Sequence, residues 1–220
     1  MKHSWTLVTL LLALALSGLA LQAEAAPSLF GGTGLLFTPT ADVVPDQQFN
    51  VAFFALELEE GVDESVLAAN VGLPQGLELG FARIKPEGRE SDTFLNAKYQ
   101  LWREQDEKPA LSVGVVDLTD EQDTTVYVVL SKSVSDWVRD RGKDITGPQI
   151  HAGLAGGLLD GVFAGASAYL GDKLALLAEY DTEDVNLGAR LELGSGFLAH
   201  AGWVNGLDDF ALGASFTKAY

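Results

Sequence analysis

The sequence predicts an all-β fold, an antiparallel up-and-down transmembrane β-barrel of about twelve strands. Three observations carry that prediction. Apolar residues alternate with polar or small ones, period two, through most of the chain after Phe49. The alternating segments are joined by short connectors rich in Gly, Asp, Asn and Pro, as hairpins require. A segment with the pattern of an export signal opens the chain, and no later run is long and apolar enough for a spanning helix.

Lys2 and His3 give a short basic start, and Trp5 to Leu21 is apolar apart from Thr6, Thr9, Ser17 and Gly18. Ala23-Glu24-Ala25 then fits a small-x-small cleavage site, so residues 1–25 read as a signal peptide and Ala26-Pro27 as the new start. An uncleaved anchor helix is the competing reading of the same run. The chain has no cysteine, which rules out attachment as a cysteine-linked lipoprotein and any disulfide framework. With 31 acidic and 14 basic residues its net charge is −17, so neither nucleic acid nor an anionic membrane surface is an expected partner.

Residues 26–47 come next, and "GGTGLLFTPTADVVPDQQF" covers most of them. Proline removes backbone donors and glycine favours irregular backbone, so this stretch is neither a helix nor a central strand. It reads as an irregular periplasmic lead-in or a plug-like entry into the barrel. Thr33, Thr38 and Thr40 are expected to satisfy nearby backbone groups.

The barrel domain is expected over 48–220. Strands fall near 48–58, 64–73, 76–84, 92–102, 109–118, 124–133, 148–157, 160–171, 173–181, 185–193, 196–204 and 208–217. "VNLGARLEL" shows the pattern best: Val185, Leu187, Ala189, Leu191 and Leu193 share one face, and Asn186, Gly188, Arg190 and Glu192 the other. Connectors such as "LPQG", "KPEG", "GDK", "DTED" and "GSG" make a meander of antiparallel neighbours. The exception is Ser133 to Gly147, the longest connector, read as a solvated loop or a short helix capped by Ser135 or Asp136.

Alternation alone does not separate a barrel in lipid from a soluble sandwich. The export signal, strand lengths near those needed to cross a bilayer and small residues on the polar face favour the barrel. Those small residues include Gly153, Gly165, Ser167, Gly188, Gly202 and Gly213. Aromatics near strand ends fit interfacial girdles: Trp102, Trp137, Phe197, Trp203, Phe210 and Tyr220. Closure also removes the sheet edges. The expected location is the outer membrane of a diderm bacterium, with lipid as partner and both termini on the periplasmic side.

The inward set is expected to include Asn96, Lys98, Gln100, His151, Glu179, Asn186, Arg190, Glu192 and His200. These either pair and close the lumen or select a polar solute, as in a porin-like conduit. No catalytic residue, cofactor or metal is expected. "GGTG" lacks dinucleotide-binding spacing. The acidic turn of Asp117, Asp120, Glu121 and Asp123 reads as a solvated loop. Two alternatives compete with the barrel: a soluble secreted β-sandwich module binding glycan or protein, and an outer-membrane hydrolase. The hydrolase needs His151 or His200 as base and Ser112, Ser167 or Ser215 as nucleophile.

The residues Gly32, Thr33, Gly34, Leu35, Leu36, Thr38, Pro39, Thr40 and Ala41 follow the pattern Gly-x-Thr-Gly-Leu-(Leu/Ile)-x-Thr-Pro-(Thr/Ser)-Ala. This resembles the start of the mature region in the YjbH-type family of outer-membrane proteins associated with exopolysaccharide production. The resemblance covers about a dozen residues, and the chain looks like one barrel domain of the longer family members. It implies an outer-membrane barrel whose partners include polysaccharide or envelope export proteins.

Overall fold

A computed structural model describes residues 25–58, 63–134 and 145–220. Residues 1–24 of the expected leader, Trp137 and most of the 133–147 connector lie outside the described residues. Twelve strands follow in order: β1 (Gln48–Glu57), β2 (Glu64–Leu73), β3 (Leu77–Pro86), β4 (Asp92–Trp102), β5 (Ala110–Val116), β6 (Thr125–Ser133), β7 (Ile145–Gly156), β8 (Gly161–Leu170), β9 (Leu174–Tyr180), β10 (Val185–Gly194), β11 (Phe197–Val204) and β12 (Asp209–Ala219). Each pairs antiparallel with its chain neighbours, and β1 pairs with β12 from Gln48↔Ala219 to Glu57↔Phe210, closing the barrel. The β7 strand begins three residues earlier than the sequence suggests. Pro148, which cannot donate to a ladder, is absorbed at a register shift between Thr146 and Gln149.

The outside of the wall is apolar. Phe53, Leu67, Leu95, Val126, Leu154, Leu187 and Leu212 are each 42–59% exposed, and their chain neighbours are buried or half-buried. Aromatic pairs sit at both rims. Phe49–Phe216 and Phe197–Phe216 mark the end that carries the C-terminus (the near end), and Trp203–Phe210 marks the far end. Trp102 anchors its indole Nε1 on the Pro109 carbonyl at 2.8 Å. This is the arrangement of a barrel in a bilayer, with apolar side chains toward acyl tails and aromatic tips at the interfaces.

The inside has three levels. Toward the far end it is apolar: Phe54, Leu56, Val66, Ile84, Phe94, Phe163 and Val204 pack inward at 6% exposure or less. The β7–β8 turn folds over this level, with Leu159 buried and its N–H on Thr125 Oγ1. The middle level is polar. Toward the near end the interior opens into a cavity of about 1330 Å³.

Residues 26–44 fill the middle level and reach the far-end one. Phe30 stacks against Phe37 and Phe94, at centroid distances of 5.1 and 5.9 Å. Leu35 and Leu36 project onto wall glycines: a Cβ built on Gly165 would lie 2.3 Å from Leu35 Cδ1, and one on Gly188 would lie 3.0 Å from Leu36 Cδ2. Of the two placements the sequence left open, a periplasmic lead-in or a plug-like entry, the contacts are those of the second, with this stretch as a stopper inside the barrel. The apolar far-end level is a departure, since the wall was expected to be small or polar inside. Many of the inward glycines make room for the stopper and for inner rings. Gly153, for example, lies under the Phe163 ring.

Candidate functional site

A segment with neither helix nor sheet leaves its backbone N–H and C=O groups unpaired, and burial then demands partners. The barrel wall supplies them from the inward positions of its strands. Glu179 on β9 accepts the N–H groups of Leu36 (3.0 Å), Phe37 (2.8 Å) and Thr38 (3.1 Å), together with the Thr38 hydroxyl at 2.8 Å. Glu78 on β3 accepts the N–H groups of Thr33 (2.7 Å) and Val44 (2.8 Å) and the Thr33 hydroxyl at 2.6 Å. Two cations hold carbonyls. Lys98 Nζ on β4 donates to Thr33 O at 2.5 Å and Asp42 O at 3.0 Å. Arg190 on β10 donates to Gly34 O at 2.8 Å and Leu35 O at 2.6 Å.

The four charges are thus compensated chiefly by peptide dipoles of one short segment, and only weakly by one another. Lys98 Nζ and Glu78 Oε1 are 4.0 Å apart. Hydrogen bonds to ionised groups are about twice as strong as neutral ones, so these contacts set the position of the stopper. Neutral wall groups complete the grip. Asn96 donates to Phe30 O, and Gln100 and Ser112 both donate to Ala41 O. Ser131 Oγ accepts the Ala41 N–H at 2.8 Å.

Each expected inward residue has a definite place. Asn96, Lys98, Gln100, Glu179 and Arg190 bind the stopper directly. Asn186 bonds Glu179 and Asp181. His151 and His200 are buried in the wall, and Glu192 lines the near-end cavity. The nine residues meet through the stopper more than through one another. The motif residues Thr33, Gly34, Leu35, Leu36, Thr38 and Ala41 make the reciprocal contacts, and Thr40 and Pro39 are buried beside them. Gly32 lies against Glu78, where an added Cβ would be 3.7 Å from Oε1. The Thr33 and Thr38 hydroxyls reach wall carboxylates, correcting the expectation that they cap nearby backbone. A carboxylate across the lumen is the stronger acceptor.

Glu78, Asn70 and Ser131 belong to this site without having been singled out in the sequence, and Asn50 holds Ala25 O just ahead of it. Strand parity was the available signal. Glu78 lies between Leu77 and outward Leu79, and Asn70, which pairs with Gly80 across the β2–β3 ladder, donates to the Thr33 hydroxyl.

Two serine–histidine pairs occur in the wall. Ser131 Oγ lies 2.7 Å from His151 Nδ1, and Ser215 Oγ lies 2.7 Å from His200 Nε2. His151 Nε2 has no hydrogen-bond partner among the described residues, so no carboxylate orients that ring. The two histidines are only 3% and 7% exposed, behind the stopper. Ser112 is committed to Ala41 O, and Ser167 lies in register with Gln149 and Leu177. These pairs join neighbouring strands, β6 with β7 and β11 with β12, and are buried with the stopper seated.

At the far end, Asp117 organises the β5–β6 turn. Its carboxylate accepts from the Thr119 hydroxyl, Glu121 N and Gln122 N, and its own N–H is held by Asn96 Oδ1. Burial raises this carboxyl, but the hydrogen bonds outweigh burial and leave its pKa below the ordinary aspartate value. The acidic turn is internally bonded around Asp117.

A closed barrel of this build, apolar outside and occupied inside by its own chain, defines an outer-membrane β-barrel protein. No family model matches the chain, and no curated protein matches it by sequence. Among solved structures it is similar to the NanC porin, with a TM-score of 0.51 and 12% identity over 76% of this chain and 98% of that one. It is also similar to the Acinetobacter baumannii outer membrane protein Omp33, with a TM-score of 0.46 and 11% identity over 80% and 99% of the two chains. At these identities the likeness is one of fold.

Proposed function

We propose that the protein is a stoppered conduit of the outer membrane that passes a polar solute when residues 26–44 leave the lumen, and that it serves exopolysaccharide export. The observation that carries the reading is the charged middle level. Glu78, Lys98, Glu179 and Arg190 stand on the wall and are satisfied by a segment that forms no part of any strand. Buried charges do not in general increase stability over well-packed apolar side chains, so a permanently filled core has no need of them. A wall that is wetted and traversed does, because polar groups on a lumen set selectivity. The link to exopolysaccharide is supported by the resemblance of Gly32–Ala41 to the YjbH-type motif, the same residues that seat the stopper.

Planar-bilayer recordings test the conduit. The full chain is expected to be nearly silent, and a variant lacking residues 28–41 to conduct steadily. A deletion variant that folds, judged by heat-modifiable gel mobility, yet never conducts refutes the reading. The export link is tested separately. A strain lacking the protein should release less polysaccharide, and unchanged release removes that part.

A further inference from the structure

We infer that the near-end cavity is a binding site for an uncharged, polyhydroxylated chain, an oligosaccharide segment. The inference deepens the export reading and rests on it for its biological sense, but it is argued from the cavity's own chemistry. The space of about 1330 Å³ lies between the stopper and the rim that carries the C-terminus. It exceeds the range of about 300–1,000 Å³ common for small-molecule pockets and suits several linked rings.

Five amide side chains line it, Gln48, Asn50, Gln75, Gln149 and Gln100, the last already donating to Ala41 O, with Glu192 and Arg103 as planar charged groups. An amide both donates and accepts, as a hydroxyl does, so amides with carboxylate and guanidinium planes match vicinal hydroxyls in pairs. The lining is acidic on balance. Asp42, Asp46 and Glu192 stand against Arg103, and the further carboxylate of Glu104 is held by Lys132 at 2.9 Å. Such a lining repels a polyanion, and its amides donate as well as accept, which suits hydroxyls better than ammonium groups, which only donate.

Asn50 supplies an independent observation. It is fully buried, it contributes to the cavity lining, and its Oδ1 has no hydrogen-bond partner among the described residues. A buried acceptor left open costs about 1–3 kcal/mol unless something donates to it, and a ligand hydroxyl is a suitable donor. Its Nδ2 donates to Ala25 O at 2.5 Å. Cleavage after Ala25 would free that end of the amide for the ligand as well.

Isothermal titration of the full chain in detergent micelles, stopper in place, provides the test. The probes are maltohexaose, spermine and hexagalacturonate, standing for neutral, cationic and anionic chains. Maltohexaose is expected to bind saturably and more tightly than the other two. Asn50→Leu and Gln149→Ala should each weaken it about tenfold, the loss of one hydrogen bond. Asn50→Asp, which keeps the acceptor, should bind more tightly than Asn50→Leu, and Asp208→Asn, in the exposed far-rim β11–β12 turn, should bind like the parent. Every variant is first shown to fold by heat-modifiable mobility. No saturable binding up to the solubility of the sugar, tighter binding of either charged probe, or full binding by both Asn50→Leu and Gln149→Ala overturns the site. A protein that binds maltohexaose but never conducts after stopper removal leaves this site standing and defeats the conduit.

Discussion

Glu179→Gln tests how the stopper is held. The substitution keeps the shape of the side chain and exchanges one acceptor oxygen for an NH₂ group. Glu179 Oε1 accepts from Phe37 N and Asn186 Nδ2, and Oε2 accepts from Leu36 N, Thr38 N and the Thr38 hydroxyl. Two donors face a donor if the NH₂ takes the Oε1 place, and three if it takes the Oε2 place, where the Thr38 hydroxyl can turn to accept. The remaining bonds lose the help of full charge. Asn186 can fall back on Asp181, so the loss felt by the stopper is about 2–4 kcal/mol. That raises the fraction of molecules with the stopper out by roughly thirty- to several-hundred-fold. The chain has no cysteine, so Thr40→Cys gives a clean reporter. Thr40 is 4% exposed and its hydroxyl has no hydrogen-bond partner among the described residues, so the exchange disturbs little. Labelling of this reporter by a water-soluble maleimide should be slow in the parent background and faster by that factor in Glu179→Gln. An unchanged labelling rate in folded protein would show that the Glu179 contacts do not hold the stopper.

Other perturbations have equally definite outcomes. A Cβ on Gly72 would stand 2.0 Å from Pro45 O and 2.2 Å from Val44 O, so Gly72→Ala must displace the end of the stopper. An overpacking cost of about 1–3 kcal/mol should appear as faster labelling of the Thr40→Cys reporter with the barrel intact. Lys98→Met leaves Thr33 O, Asp42 O and Glu78 without their cation, and the thermal midpoint should fall by more than for Gly72→Ala. The folded pKa of Asp117 is depressed, so its hold on the β5–β6 turn is complete above the ordinary aspartate pKa and is lost as pH falls through the lower folded value. A nitroxide at Glu121→Cys should become more mobile across that acid range, and Asp117→Asn should be mobile and flat with pH.

Strand positions were legible because alternation is a local signal that survives without knowledge of neighbours. The side of the wall taken by Asn96, Lys98, Glu179, Asn186, Arg190 and His200 was legible from the same parity. The stopper was half legible. Its glycines and prolines exclude regular structure, but its partners lie far along the chain, with Thr38 and Glu179 separated by 141 residues. No local pattern records such a contact. The apolar far-end level was hidden for another reason. In β1, Phe53 faces outward and Phe54 inward, so the strand is greasy on both faces, and parity cannot say which ring meets lipid. The serine–histidine pairs were out of reach because they depend on register between strands, Ser131↔His151 on β6 and β7.

The most direct measurement is a nitroxide scan of β1 in lipid vesicles, placing one cysteine at a time from Val51 to Leu56. The structure predicts that labels at Val51, Phe53 and Ala55 meet dissolved oxygen in the acyl region, while those at Ala52, Phe54 and Leu56 are shielded from oxygen and from aqueous relaxants alike. Equal accessibility along the strand, or water-soluble relaxant reaching positions 51, 53 and 55, would contradict a closed wall with lipid outside and its own chain within.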